Sequence, residues 1–216
     1  MKQDYRVNEI VSEFPSLQER AFLKRGRFID LDLNNTALLI LDMQNYFLNE
    51  NSHAFLPAGK QLIQTVSDLA HFANAKKIPV IKTQHLDVES NSNLMTSWWR
   101  NSIQSGSDEC SLCDEIDKLD AELVIKSQYD AFYETELSKI LKYKGIKQII
   151  FTGISTHLCV DSTIRSAFIQ GFLPILPVNG TAAFTKDQHL NSVKNLEHGF
   201  AVLSTINHLK VGMEKL

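Results

Sequence analysis

Cysteine is scarce in this chain: three residues in 216. That is no disulfide framework, so each thiol must be explained by packing, metal binding or reactivity. Charge of one sign is lacking too. Lys and Arg number 22 against 25 Asp and Glu, a net charge of −3, which gives no reason to expect nucleic acid or an anionic membrane as partner. No apolar run approaches membrane-spanning length. The opening Met-Lys-Gln-Asp-Tyr-Arg has no apolar core of the signal-peptide kind. No internal repeat or low-complexity segment occurs, and Gly153 has no glycine-rich company that would make a phosphate loop. A soluble, cytoplasmic protein is expected, with no nucleic-acid or membrane partner.

What is present is an ordinary core, with 44% apolar residues. Residues 1–34 are charged and patchily apolar (Val11, Phe14, Leu17, Phe22, Leu23, Phe28), which predicts an arm packed on the domain or on a neighbouring subunit. From 35 to 216 one domain is expected. Apolar runs at Ala37–Leu41, Pro79–Thr83, Leu123–Ile125, Ile149–Phe151, Leu173–Leu176 and Ala201–Leu203 predict six strands. Between them lie helical patterns over Pro57–Lys76, Glu136–Lys144 and Thr185–His198, the last opened by the capping box Thr185-Lys-Asp-Gln188. Another follows Cys159, with Val160, Ile164, Ala167 and Phe168 inward. Gly145, Gly171 and Gly199 mark helix stops. The tail allows a last helical turn or two. Residues 86–121 make a long polar excursion without a clear period. The alternation predicts a three-layer αβα fold, Rossmann-like, around a six-stranded, mostly parallel sheet.

In such sheets ligands bind at the carboxyl ends of the strands, near the point where strand order reverses. Three reactive side chains stand at or just past strand ends: Asp42, Lys126 and Cys159. Singly, each has a plain alternative. Aspartates form turns, lysines end at solvated edges, and lone cysteines pack as small hydrophobes. Together they suit a thiol nucleophile. Cys159 begins a helix, where the positive dipole end favours thiolate. Asp42 serves as base and then acid, Lys126 lowers the thiol and carboxyl pKa values, and backbone N–H groups in the Gly153–Cys159 turn meet the oxyanion. His157 is a second candidate base, expected to point away along the turn. Phe47, Trp98, Tyr129 and Phe132 are candidate pocket walls or plain core, and His85, just past the second strand, is a candidate wall residue or a partly exposed hydrogen-bonding histidine. Cys110-Ser-Leu-Cys113 has knuckle spacing but no second pair, so neither zinc binding nor redox chemistry is expected there.

Leu39-Ile-Leu-Asp-Met-Gln-Asn-Tyr-Phe47, Lys126-Ser-Gln-Tyr-Asp-Ala-Phe132 and Gly153-Ile-Ser-Thr-His-Leu-Cys-Val-Asp-Ser-Thr163 resemble the three signature blocks of the isochorismatase-like cysteine hydrolases. The resemblance spans about residues 35–205. It implies that fold, an Asp42–Lys126–Cys159 triad, a cis peptide at Ile154–Ser155, and an oxyanion hole made by the Ser155 and Cys159 N–H groups. It also implies a homodimer or homotetramer acting on a small molecule. Where nicotinamidases of this family carry an Asp-x-His metal motif, this chain has Lys82-Thr-Gln-His-Leu-Asp87, so no metal and no other cofactor is expected. True isochorismatases commonly have glycine where Cys159 stands. The expected activity is therefore hydrolysis of an amide, carbamoyl or ureido C–N bond. A vinyl-ether hydrolase and a non-catalytic binding relative are the alternatives.

Overall fold

The computed structural model describes residues 5–19, 23–24, 27–28, 31–87 and 94–214, with the backbone alone for those between 18 and 30. All six expected strands form. We label them β1 (Thr36–Leu41), β2 (Val80–His85), β3 (Glu122–Lys126), β4 (Gln148–Ile154), β5 (Leu173–Pro177) and, after an unforeseen two-residue β6 (Thr181–Ala182), β7 (Val202–Ser204). Their order across the sheet is β3-β2-β1-β4-β5-β7, parallel throughout, with β6 paired to the far end of β4. β6 escaped the sequence pattern because two residues carry no period.

The chain runs outward from β1 through β2 to β3, then returns to β4 on the other side of β1. That return is the reversal of strand order. Right-handed crossovers then dictate the layers. Helix α1 (Leu62–Ala75) connects β1 to β2, and α3 (Asp161–Ile169) connects β4 to β5 in the opposite direction, so the two must cover opposite faces. The packing agrees: α1 contacts the final helix α5 (Ile206–Glu214), whereas α3 contacts α4 (Lys186–Gly199). Helix α2 (Leu137–Tyr143) lies between β3 and β4. β1 is covered on both sides, its six residues all buried, which is why Ala37–Leu41 reads as an unbroken apolar run. β3 is an edge strand hydrogen-bonded only to β2, and its Leu123 and Ile125 remain 45% and 54% exposed.

Several boundaries shift. The helix expected over 57–76 is a separate turn, Pro57–Lys60, followed by α1. The helix expected directly after the fourth strand opens with one turn of π-helix, Thr156–Val160. Phe168 does not face inward; it is 42% exposed and stands edge-on to Phe200. Gly145 and Gly171 end their helices at φ 70° and 88°. Gly199 is still helical, with Phe200 as the cap. The capping box forms as expected: Thr185 Oγ1 accepts from the Gln188 N–H, and Gln188 Oε1 accepts from the Thr185 N–H, each at 3.1 Å. The tail is a nine-residue helix, more than a turn or two.

Within the long excursion, Met95–Trp99, Asp108–Cys110 and Asp114–Asp117 are short helices. Residues 88–93 of it lie outside the described residues, as does Phe22 of the arm, while Leu23 and Phe28 are described by backbone only. From Tyr5 to Leu17 the arm packs on its own chain: Tyr5, Val7, Ile10, Phe14 and Leu17 are buried in the main core. No helix among the described residues is long and apolar enough to cross a membrane.

Candidate active site

β1 ends at Leu41, and the next residue turns sharply. Asp42 sits at φ 50°, a left-handed conformation that Asp tolerates better than most residues. The turn aims its carboxylate along the sheet's carboxyl edge, where the Thr83 hydroxyl of β2 donates to Oδ1 at 2.6 Å. Thr83 also accepts from the Asp42 N–H at 3.1 Å. Lys126, the last residue of β3, reaches across the end of β2. Its Nζ lies 2.8 Å from Asp42 Oδ2, with both side chains fully buried, and donates to the Gln128 carbonyl at 2.7 Å.

Cys159 arrives from the other side of β1. Gly153, near the end of β4, is in register with Leu41. It adopts φ 103°, and a Cβ there would stand 2.2 Å from the Leu41 carbonyl oxygen. Only glycine lets β4 approach this closely and turn. The Ile154–Ser155 peptide is cis, and the π turn follows. In that turn the Ser155 carbonyl accepts from the N–H groups of Leu158 and Val160 at 3.1 and 3.2 Å, passing over Cys159. The Cys159 sulfur comes to rest 3.6 Å from Lys126 Nζ. The reversal of strand order thus brings all three expected side chains together.

The electrostatics differ from the expectation in one respect. Helix position and Lys126 were to lower the thiol pKa. Burial instead pushes Cys159 up to about 12; Lys126 opposes this, and the neighbouring Asp42, to which the thiol hydrogen-bonds, adds to it. At neutral pH the resting group is a thiol. Lys126 behaves as a charge held in place. Burial disfavours its ammonium, but Asp42 and the Cys159 sulfur outweigh that and hold its pKa above the ordinary lysine range.

Cys159 forms part of the wall of a cavity of about 390 Å³, with Asp42 and Lys126 sealed behind it. Of the expected wall residues, Phe47, His85 and Tyr129 line this space. Trp98 does not; it points outward, 75% exposed. Its neighbour Trp99 lines the cavity instead and donates from Nε1 to the Tyr129 hydroxyl at 2.7 Å. Successive helical residues point about 100° apart, so only one of the pair could face in. Phe132 is also excluded: it is buried and stacked on Phe172, with ring centroids 5.9 Å apart. His157 does not turn away. It lines the cavity, its Nδ1 lies 3.0 Å from Ser155 Oγ, and burial lowers its pKa.

Residues with no signal in the sequence complete the wall, among them His53, Asn101, Ile103 and Phe184. Tyr46 stands beside Phe47 in the first signature block and was the one open to notice. His85 Nε2 lies 3.2 Å from Asp87 Oδ1, and Asp87 Oδ2 accepts from the Ile103 N–H at 2.7 Å. Asp87 is committed on both oxygens. Among the described residues no three His, Cys, Asp or Glu side chains converge as a metal-ligand set. Cys110 and Cys113 are free, buried thiols, and burial pushes Cys113 up to about 11.

Several known proteins resemble this chain. Nicotinamidase 3 of Arabidopsis thaliana is 31% identical over 179 residues, covering 81% of this chain and 86% of that protein. Ureidoacrylate amidohydrolase of Pantoea ananatis is 26% identical over 218 residues, covering 88% and 87%. The crystal structure of a cysteine hydrolase from Pseudomonas syringae pv. phaseolicola superposes with a TM-score of 0.82 at 20% identity, over 87% of this chain and 96% of that one, a likeness of fold. The model of the isochorismatase domain matches residues 36–208, from the first residue of β1 into α5, and the chain therefore belongs to the isochorismatase family of hydrolases.

Proposed function

We propose that this hydrolase cleaves the C–N bond of a small amide, carbamoyl or ureido compound through a thioester on Cys159. One observation carries the reading: a carboxylate, an ammonium and a thiol meet at the wall of a single cavity, with the two charged groups shielded from water. Asp42 takes the thiol proton as sulfur attacks the carbonyl carbon. Lys126 stays beside the one negative charge as it passes from the carboxylate to sulfur and on to the oxyanion. The oxyanion is met by the N–H groups of Ser155 and Cys159. Asp42 returns its proton to the departing ammonia or amine as the C–N bond breaks. Water, deprotonated by Asp42, then attacks the thioester, and the proton goes back to sulfur as the acid leaves. A thiol that rests neutral fits this sequence, because the proton moves only when a substrate carbonyl is present to accept the sulfur's electrons.

The largely apolar, aromatic wall of Phe47, Trp99, Tyr129 and Phe184 suits a flat, unsaturated substrate body. Named relatives supply the first compounds to try, nicotinamide and ureidoacrylate, within a wider ammonia-release screen of amides, ureas and carbamoyl compounds. Cys159→Ala should abolish turnover of whichever compound reacts. Intact-protein mass spectrometry of the wild type should show an acyl adduct on Cys159. A Cys159→Ala variant that keeps full activity would overturn the thioester route in favour of a reaction, such as vinyl-ether hydrolysis, in which the thiol is a bystander.

A further inference from the structure

His189 is a fully buried group that this mechanism leaves without a part. It lies on α4, and its two ring nitrogens have different neighbours. Nε2 is 3.0 Å from the Val178 carbonyl oxygen, and Nδ1 is 2.8 Å from Thr156 Oγ1. A carbonyl only accepts, so Nε2 carries a proton. Burial lowers the imidazole pKa to about 4, so at neutral pH there is only that one proton. Nδ1 is therefore bare, and the Thr156 hydroxyl donates to it. The direction of both bonds is fixed. Tyr5 of the arm closes over this pair: its ring centroid lies 6.0 Å from that of His189, and its hydroxyl accepts from the Ala183 N–H at 2.9 Å.

Thr156 is also fully buried, follows Ser155 directly and opens the π turn that ends past Cys159. Its side chain thus anchors one end of the backbone that carries both proposed oxyanion donors, while Thr163 Oγ1 holds the other end by donating to the Cys159 carbonyl at 2.6 Å. We propose that His189 is a positioning residue, which through Thr156 holds the Ser155–Cys159 turn in the geometry that receives the substrate oxygen. This rests on the thiol-hydrolase reading above. The bond to Nδ1 ties α4 to the turn, and the Val178 carbonyl fixes which nitrogen makes it.

The test separates two reactions of the same sulfur. Acylation by p-nitrophenyl acetate develops an oxyanion; alkylation by iodoacetamide does not. Thr156→Val keeps the shape and removes the hydroxyl. It should slow acylation about ten-fold or more while alkylation stays within about two-fold, since only the former draws on oriented N–H donors. Thr156→Ser, which restores the hydroxyl, should restore acylation. His189→Gln, whose amide N–H can still meet the Val178 carbonyl while no acceptor stands where Nδ1 stood, should slow acylation similarly, and combining it with Thr156→Val should cost little more, because both remove the same bond. Unchanged acylation in Thr156→Val overturns the inference. So does an equal loss of acylation and alkylation, or a double variant whose losses multiply. A wild type with no Cys159-dependent nitrophenolate burst removes the thiol-hydrolase reading itself, and the inference with it. A burst in the wild type that Thr156→Val leaves intact overturns the inference alone.

Discussion

Cys159 shows how one side chain's surroundings decide its chemistry. Its place at the start of a helical segment argued for a lowered pKa, and burial beside Asp42 outweighs that. The consequence is measurable. The iodoacetamide rate of the resting protein should keep climbing through pH 10, with no plateau near 9, the ordinary value for a thiol. A plateau there would mean the sulfur is wetter than its position indicates. The same shift acts on stability. The folded thiol holds its proton to higher pH than the unfolded one. This contribution is complete below the unfolded pKa and declines as pH rises from about 9 toward 12. At this scale the three reactive residues were legible because strand ends are legible. The cavity wall was not: Trp98 and Trp99 are identical as letters, and a five-residue helix in an aperiodic stretch does not say which faces in. Phe132 likewise packs on Phe172, a partner forty residues away that no local pattern reveals.

Among the elements, the pairing of β1 with β4 does most to assemble the site. It runs without interruption from Thr36 opposite Gln148 to Leu41 opposite Gly153. Gly153→Ala would place a methyl group 2.2 Å from the Leu41 carbonyl oxygen, in a backbone conformation that L residues rarely adopt. Backbone on both sides leaves nothing soft to move. We expect either no soluble protein or a fall in stability of about 3 kcal/mol or more, read by urea denaturation, with activity lost even in what folds. An unaffected Gly153→Ala would show that the two strands can separate without harm to the Asp42–Cys159 approach. The central strands were plain in the sequence because burial on both faces enforces continuous apolar runs. The π turn was not, since one extra residue in a helical turn changes no composition, and β6 was too short to register.

The whole molecule includes an arm that the family domain does not. Tyr5 to Leu17 lies before the matched span 36–208, yet its apolar residues belong to the main core. The Tyr5 hydroxyl accepts from the Ala183 N–H, and Glu13 pairs with Lys186, the first residue of α4; Phe184 and Thr185, between these two points, line the cavity. Tyr5→Phe leaves a buried N–H without its acceptor and should cost about 1–3 kcal/mol in denaturant melts. A cost near zero would mean the arm merely rests there. Its apolar letters were visible beforehand, but which surface they cover was not, because that depends on residues more than a hundred and fifty positions away.

Lys126 stands on β3, the strand at the border of the sheet, tied to a neighbour on one side only. The ammonium is therefore delivered by an edge strand, while the thiol and the carboxylate follow interior ones. Local fraying of that border needs less free energy than melting the whole. Mild urea should accordingly stop turnover before the circular-dichroism signal moves, and should do so reversibly; Trp99, bonded to Tyr129 just past β3, should report the early step by fluorescence. Such a protein would fall silent in modest denaturant while still largely intact, and recover on dilution without having to refold.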